Sequence, residues 1–365
     1  MCNGEPAFLF LLLIILPLAA CADPATNEEA LNKADHSIQT PPSNSATSPP
    51  AAIVRPLQAV LQASFEINGA GGNVDSIAFW EATDPADSLL FVTAKENSLV
   101  EVWQFPFVSN EKPPLKHDTF GDSQVNGVAV DQDADLLFVS VSKPANTVAV
   151  FSLPTLEFQR SFVNNQISLG KEPGIGLYHQ AGGDTLVYVT TDADQSVHVY
   201  KTESGEQTNA TKLDHELEMV LADEYHDIIY IPDETGSRGI LAYDPNLASL
   251  ERNGQRSFGA GLFEKDAEGI ILYTCQNDGV DNGQGFIVVA DQRKPETDFE
   301  FFDRETWQHL GTFRLSGVGN TDGLGSTQIA LPGYPLGLFT AVNDDSAVAG
   351  IGWDQVLDMM DLICP

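Results

Sequence analysis

The sequence predicts an all-β domain built of six repeated units, and three observations carry that expectation. From about residue 58 onward, short runs rich in Val, Ile, Phe and Tyr alternate with turns rich in Gly, Asp, Asn and Pro, which is how strands and turns read. No long stretch in this part of the chain has the period of an amphipathic helix. The runs also repeat. "LLFVTAKENSLVEVW" begins at Leu89, "LLFVSVSKPANTVAVF" at Leu136, "TLVYVTTDADQSVHVY" at Thr185, "IIYIPDETGSRGILAY" at Ile228, "GFIVVADQRKPETDFEFF" at Gly285 and a degenerate "PLGLFTAVNDDSAVAGI" at Pro335.

Each unit pairs an apolar strand, a polar turn and a second strand ending in an aromatic or large apolar residue. The aligned centres Phe91, Phe138, Tyr188, Tyr230, Ile287 and Phe339 are spaced by 47, 50, 42, 57 and 52 residues. A period near fifty with room for about four strands is that of a β-propeller blade, and six copies make a six-bladed β-propeller. Radial repetition hides most sheet edges, which a long all-β chain must otherwise protect. The competing architectures are seven blades with one eroded unit and a pair of β-sandwiches.

In chain order, residues 1–20 come first. "AFLFLLLIILPLAAC" is about the length of a secretory apolar region and short for a membrane span. It ends in Leu18-Ala19-Ala20-Cys21, which resembles the lipobox of bacterial lipoproteins. That resemblance implies cleavage before Cys21, a lipid anchor on it, and residence in the cell envelope beyond the inner membrane. The leading "MCNGEP" departs from the pattern in having no Lys or Arg; an ordinary signal peptide is the alternative. Residues 21–57, rich in Pro, Ser, Thr, Asn and Ala, have too little apolar surface to order themselves and read as a disordered tether. Residues 58–365 are the propeller.

Of the 365 residues, 52 are Asp or Glu and 18 Lys or Arg, a formal charge of -34. Phosphate backbones are bound by basic surfaces, so nucleic acid is excluded as a partner class, and an anionic membrane surface is disfavoured. Hard divalent cations suit such a chain, because they prefer oxygen ligands. Once Cys21 is set aside, Cys275 and Cys364 are free to pair in an oxidising compartment; the spacing does not decide whether they do. A monomer is expected.

The residues just before each innermost strand are the functional candidates, since blade loops converge there on the central channel. They are Asp75 in "GNVDSIAFW", Asn126 in "SQVNGVAVD", Tyr178 and His179 in "EPGIGLYH", Glu216 and Glu218 in "HELEMVLAD", Asp266 and Glu268 in "KDAEGIILY", and Asp322 in "GNTDGLGSTQIAL". Acids recur in four of the six. In an extended strand Asp266 and Glu268 project to one side, where their mutual repulsion calls for a cation or a proton. Ringed around a channel, such acids form a multi-carboxylate wall of the kind Ca²⁺ takes. Used singly, Asp and Asn there are ordinary turn formers. The sequence has neither a G-x-S-x-G elbow nor an H-x-x-x-H pair, so serine-hydrolase and zinc-hydrolase sites are unsupported.

These segments, in this order, resemble the β-propeller phytases, calcium-dependent enzymes that release phosphate from phytate. "GNVDSIAFW…DPADSLLFVTAKENSLVEVW", "VNGVAVD", "GIGLYH", "LADEYHDIIYIPDET", "KDAEGIILY" and "NTDG…YPLGLFTAVND" are each similar to a block of that family, across the whole of 58–365. The resemblance implies hydrolysis of a phosphorylated small molecule by Ca²⁺ held in a ring of carboxylates. Carried over by position, Asp75, Glu218, Asp233, Glu234, Asp266, Glu268, Gln292 and Asp322 would be metal ligands. Lys95 would contact phosphate, and Tyr178 and Glu268 would complete the catalytic set. The departures fall on the phosphate side. A family Arg is replaced at Ser123 or Gln124, a Lys-Glu pair aligns with Asp192-Ala193-Asp194, and a double acid is reduced to Asp75-Ser76. Each lost charge-assisted bond is worth about 1.5–3 kcal/mol. The alternative is therefore a weakened or inactive relative that binds calcium or a surface partner.

Overall fold

The computed structural model describes residues 59–364 apart from 70–71 and 108–111. The expected signal segment, Cys21 and the tether lie outside the described residues. Six small sheets follow one another along the chain and close into a six-bladed β-propeller.

Blade 1 has strands Val74–Trp80, Leu89–Ala94 and Leu99–Gln104, with a single bridge from Val100 to Leu115 outside them. Blade 2 runs through Gln124–Asp131, Leu136–Ser142, Thr147–Ser152 and Phe158–Phe162. Blade 3 uses Ile175–His179, Thr185–Thr191, Ser196–Lys201 and Gln207–Lys212. Blade 4 uses Leu221–Asp223, Ile228–Pro232, Ile240–Tyr243 and Ser257–Phe258. Blade 5 has the long pair Asp266–Asn277 and Val280–Gln292, then Asp298–Asp303 and His309–Leu315. Blade 6 has Leu324–Thr327, Leu338–Asn343 and Ala347–Gly352. The quoted repeats are thus the second and third strands of each blade, and the candidate acids precede or open the innermost strand.

Six apolar clusters show why the ring closes. Each draws on two neighbouring blades: Phe91 with Leu137, Phe138 with Val187, Tyr188 with Ile229, Tyr230 with Ile287, Phe301 with Phe339, and Val342 with Leu90. Alternation along the strands sends one face to the preceding blade and one to the next, so both faces are apolar. The six aligned centres are all fully buried.

Chain segments from near residue 60 complete the ring. Phe65–Asn68 pairs antiparallel with Ala347–Gly352 as the outer strand of blade 6, joining the start of the propeller to its end. Just before it, Ala59–Leu61 lies parallel to His309–Leu315 on the rim of blade 5. At the opposite end from the channel acids, the helix Trp353–Met359 covers the seam of blades 5 and 6. Beyond it, Cys364 is disulfide-bonded to Cys275 across 89 residues.

Candidate metal centre

The channel mouth is shaped by bulges and glycines. The innermost strands of blades 1, 2 and 5 each slip register between Val74 and Ile77, Val125 and Val128, and Ala267 and Ile270. A bulge re-aims the side chains it carries, here Asp75, Asn126 and Glu268. Hydroxyls from second strands fix the backbone beside them. Ser76 N donates to Thr93 Oγ1 at 2.8 Å, Gly127 N to Ser140 Oγ at 2.8 Å, and Gly174 N to Thr190 Oγ1 at 2.7 Å. Glycine then lets adjacent blades touch through their backbones. A Cβ on Gly174 would lie 1.7 Å from Glu218 O, and one on Gly323 would lie 2.1 Å from Asp75 O.

This framework gathers three glutamates. Glu218 precedes the innermost strand of blade 4, and its carbonyl accepts from Thr190 Oγ1 at 2.6 Å. Glu234 follows the second strand of blade 4. Its N–H donates to Glu216 O at 3.1 Å, and its carbonyl accepts from Ala267 N at 3.0 Å, which ties it to the residue before Glu268. One carboxylate oxygen each from Glu218, Glu234 and Glu268 lies within 4.8 Å of the other two. Burial and neighbouring carboxylates raise all three. Glu218 is held well above its ordinary range by burial and by Glu268, and Glu268 by burial, Asp322 and Glu234. Glu234 is pushed up to about 7 by burial, Glu216 and Glu172. Asp322 beside them accepts from Gln292 Nε2 and is pushed up to about 8 by burial and Asp75.

The donor set fits a hard divalent cation. It offers carboxylate oxygens only, spaced as the Ca–O distances of about 2.3–2.6 Å require of ligands around one ion, and it lacks enough protein cation to neutralise it. A cavity of about 240 Å³ opens beside it, lined by Lys171, Glu172, Asp192, Glu216, Glu218 and Glu234 among others.

Lys95 is buried at the same mouth. Its Nζ stands 2.8 Å from Asp75 Oδ1 and 2.9 Å from Glu172 Oε1. Burial alone would favour the neutral amine, but Asp75, Glu218 and Glu172 outweigh it and hold the ammonium protonated. Asp75, expected as a metal ligand, is ion-paired with Lys95 here.

Other expected site residues stand apart. Tyr178 lies four residues beyond Gly174 along the innermost strand of blade 3, about 13 Å toward the other end of the channel. Its ring is in the core between blades 3 and 4, and its hydroxyl donates to Asp227 Oδ1 at 2.5 Å. Tyr178, for which the resemblance implies a catalytic role, is thus a core residue apart from the glutamate cluster. Asp233 is held by its own loop, accepting from Thr235 Oγ1, Ser237 Oγ and Arg238 N at 2.8–3.0 Å. Those bonds outweigh burial and lower its carboxyl, leaving Glu234 to face the cluster. Asp266 is exposed at the strand start while Glu268 is buried, because the bulge between Ala267 and Ile270 takes in Glu268 and breaks the alternation that would have aligned the two. Its charge still reaches Glu234.

Glu172, which the sequence expectations do not include, stands before Pro173-Gly174 at the opening of blade 3, where blades 1, 4, 5 and 6 carry their acids.

No family model matches the chain. A chain of the solved structure titled "Crystal Structure of Mitotic Checkpoint Complex" is similar to it with a TM-score of 0.51, over 81% of this chain and 96% of that one. Identity is 9%. At that level the likeness speaks to the fold alone. The chain is a six-bladed β-propeller.

Proposed function

We propose that the channel mouth is a calcium centre and that the protein is an extracytoplasmic, phytase-like phosphomonoesterase built around it. The observation that carries the reading is the convergence of Glu218, Glu234 and Glu268 within 4.8 Å. Calcium bound there would reduce the charge of a polyanionic phosphoester and lower the pKa of a bound water. The chain's own residues supply the rest. The three glutamates hold the ion, Gln292 orients Asp322, and the adjoining cavity admits a small ligand. The Cys275–Cys364 disulfide supports an oxidising compartment, in line with the envelope anchor expected at Cys21.

A second reading, calcium binding without turnover, is favoured by one feature. At Ser123, one of the two positions (with Gln124) where the resemblance implies a phosphate-binding Arg, the side chain is buried and accepts from Ala145 N at 3.1 Å. Where it implies Lys, Asp192 Oδ1 accepts from Lys171 N at 2.7 Å. Calorimetric titration with calcium, run beside phosphate release from phytate, decides between the readings. Calcium binding and release that are both lost in Glu268→Ala support the hydrolase. Binding without release leaves the second reading, and no binding removes both.

A further inference from the structure

The loop that opens blade 3 is fixed more firmly than a surface loop needs to be. The carbonyl of Lys171 accepts from Asn126 Nδ2 at 2.9 Å and from Ser142 Oγ at 3.0 Å, both buried residues of blade 2. Its N–H donates to Asp192 Oδ1 at 2.7 Å. Gly170 makes room for that bond, since its φ is +85° and a Cβ there would lie 1.4 Å from Asp192 Oδ1. Two residues on, Pro173 O accepts from Ser140 Oγ at 2.6 Å. Both backbone polar groups of Lys171 are therefore held by side chains, and Asn126, a candidate from the sequence, serves to hold one of them.

The side chain on this anchored backbone is exposed, and it is the one cation lining the cavity beside the glutamates, where five lining residues are carboxylates. Among the described residues, no carboxylate is ion-paired with its ammonium. Five carboxylates turn a phosphate away unless positive charge stands among them. Resting on the phosphomonoesterase reading, we propose that Lys171 binds a phosphate of the substrate in this cavity, beside the metal on the glutamates. An ammonium offers three donors to phosphate oxygens, and in Lys171 none is committed to an acid. Because its backbone is already fixed, little order is lost when the ligand arrives. The dephosphorylated product, lacking the oxyanion, is held less.

The test is calorimetric titration of the whole protein with phytate in calcium, run beside the KM and kcat of phosphate release. Lys171→Met should weaken phytate binding by about ten- to a hundredfold, the loss of one charge-assisted bond. KM should rise with it while kcat and calcium affinity hold, and Lys171→Arg, which keeps the charge, should stay near the wild type. The melting temperature in chelator should not change, because the side chain is exposed; a marked drop in Lys171→Met assigns the lysine to the fold and counts against the proposal. Unchanged phytate affinity in Lys171→Met, beside loss of both calcium and phytate in Glu268→Ala, overturns the role of Lys171 and leaves the calcium centre standing. Calcium-independent phytate binding that Lys171→Met weakens does the reverse. Phytate held without release, and weakened in Lys171→Met, supports Lys171 together with the second functional reading. A wild type that binds no phytate overturns the proposal, whether or not it binds calcium.

Discussion

The carbonyl oxygen of Glu218 occupies the place where a side chain on Gly174 would begin, 1.7 Å from an ideal Cβ. Neighbouring blades are therefore in backbone contact beside the residue whose carboxylate joins the metal cluster. Gly174→Ala must push blade 4 outward and carry Glu218 with it. We expect a loss of about 3 kcal/mol, typical of overpacking, together with weaker calcium binding. Thermal melts and a calcium titration of the variant check both. Gly323, whose Cβ would lie 2.1 Å from Asp75 O, should lose stability when changed to Ala and leave the glutamate cluster's affinity closer to wild type.

Removing one acid from the cluster should have opposite effects with and without metal. Beyond burial, Glu268 raises the carboxyl of Glu218, and Asp322 and Glu234 raise that of Glu268, which marks repulsion at Glu268. Glu268→Gln relieves it, so in chelator the variant should melt above the wild type. In excess calcium the order should reverse, because the variant has lost a ligand. Scanning calorimetry under both conditions reads the crossing, and parallel behaviour would sink the idea of a shared cation.

Arg304 is fully buried and bound on two sides. Its Nη2 is 2.6 Å from Asp223 Oδ1 of blade 4, and its Nη1 is 2.7 Å from Asp281 Oδ1 on the long hairpin of blade 5. Arg304→Met leaves the fully buried Asp223 with only His226 as a cationic partner and should cost about 3–5 kcal/mol. Changing Asp223 to Asn in the same chain should recover part of that. A double-mutant cycle by urea denaturation measures the coupling.

Breaking the Cys275–Cys364 bond should cost about 4–5 kcal/mol, since the closed loop spans 89 residues. Cys364→Ser measured against wild type under non-reducing conditions tests this. A matching loss on adding reductant to the wild type, and none in the variant, assigns the effect to the bond.

How much of this was readable in the chain differs by level. The blades were, because Phe91, Phe138, Tyr188, Tyr230, Ile287 and Phe339 recur at a period that strand alternation makes visible. Ring closure by Phe65–Asn68 was not, because pairing between the two ends of a domain leaves no local signal. At the site, Glu268 stood out through its position before an apolar run. Its partner Asp266 did not follow it inward, since a bulge is a backbone event that alternation does not foresee. The choice between Asp233 and Glu234 turned on hydroxyls at Thr235 and Ser237, which fold back on Asp233 only once the loop has formed.

A last consequence lies at the end of the channel away from the acids. His179 Nε2 stands 3.2 Å from Asp131 Oδ1 of blade 2, and its Nδ1 meets Glu224 of blade 4, so one imidazole links three blades. The two carboxylates, Asp131 first and then Glu224, push it up from 6.5 to about 10. A cation favoured by the fold over the unfolded chain gives its full stabilisation below the unfolded value, and loses it as pH rises through the folded one. His179→Gln should therefore melt furthest below the wild type near pH 6, with the gap narrowing steadily and closing near pH 10. Scanning calorimetry of both proteins across that range at constant ionic strength makes the comparison. A gap that is flat or widens with pH would mean that the imidazole is neutral in the fold and that the two carboxylates are held apart by something else.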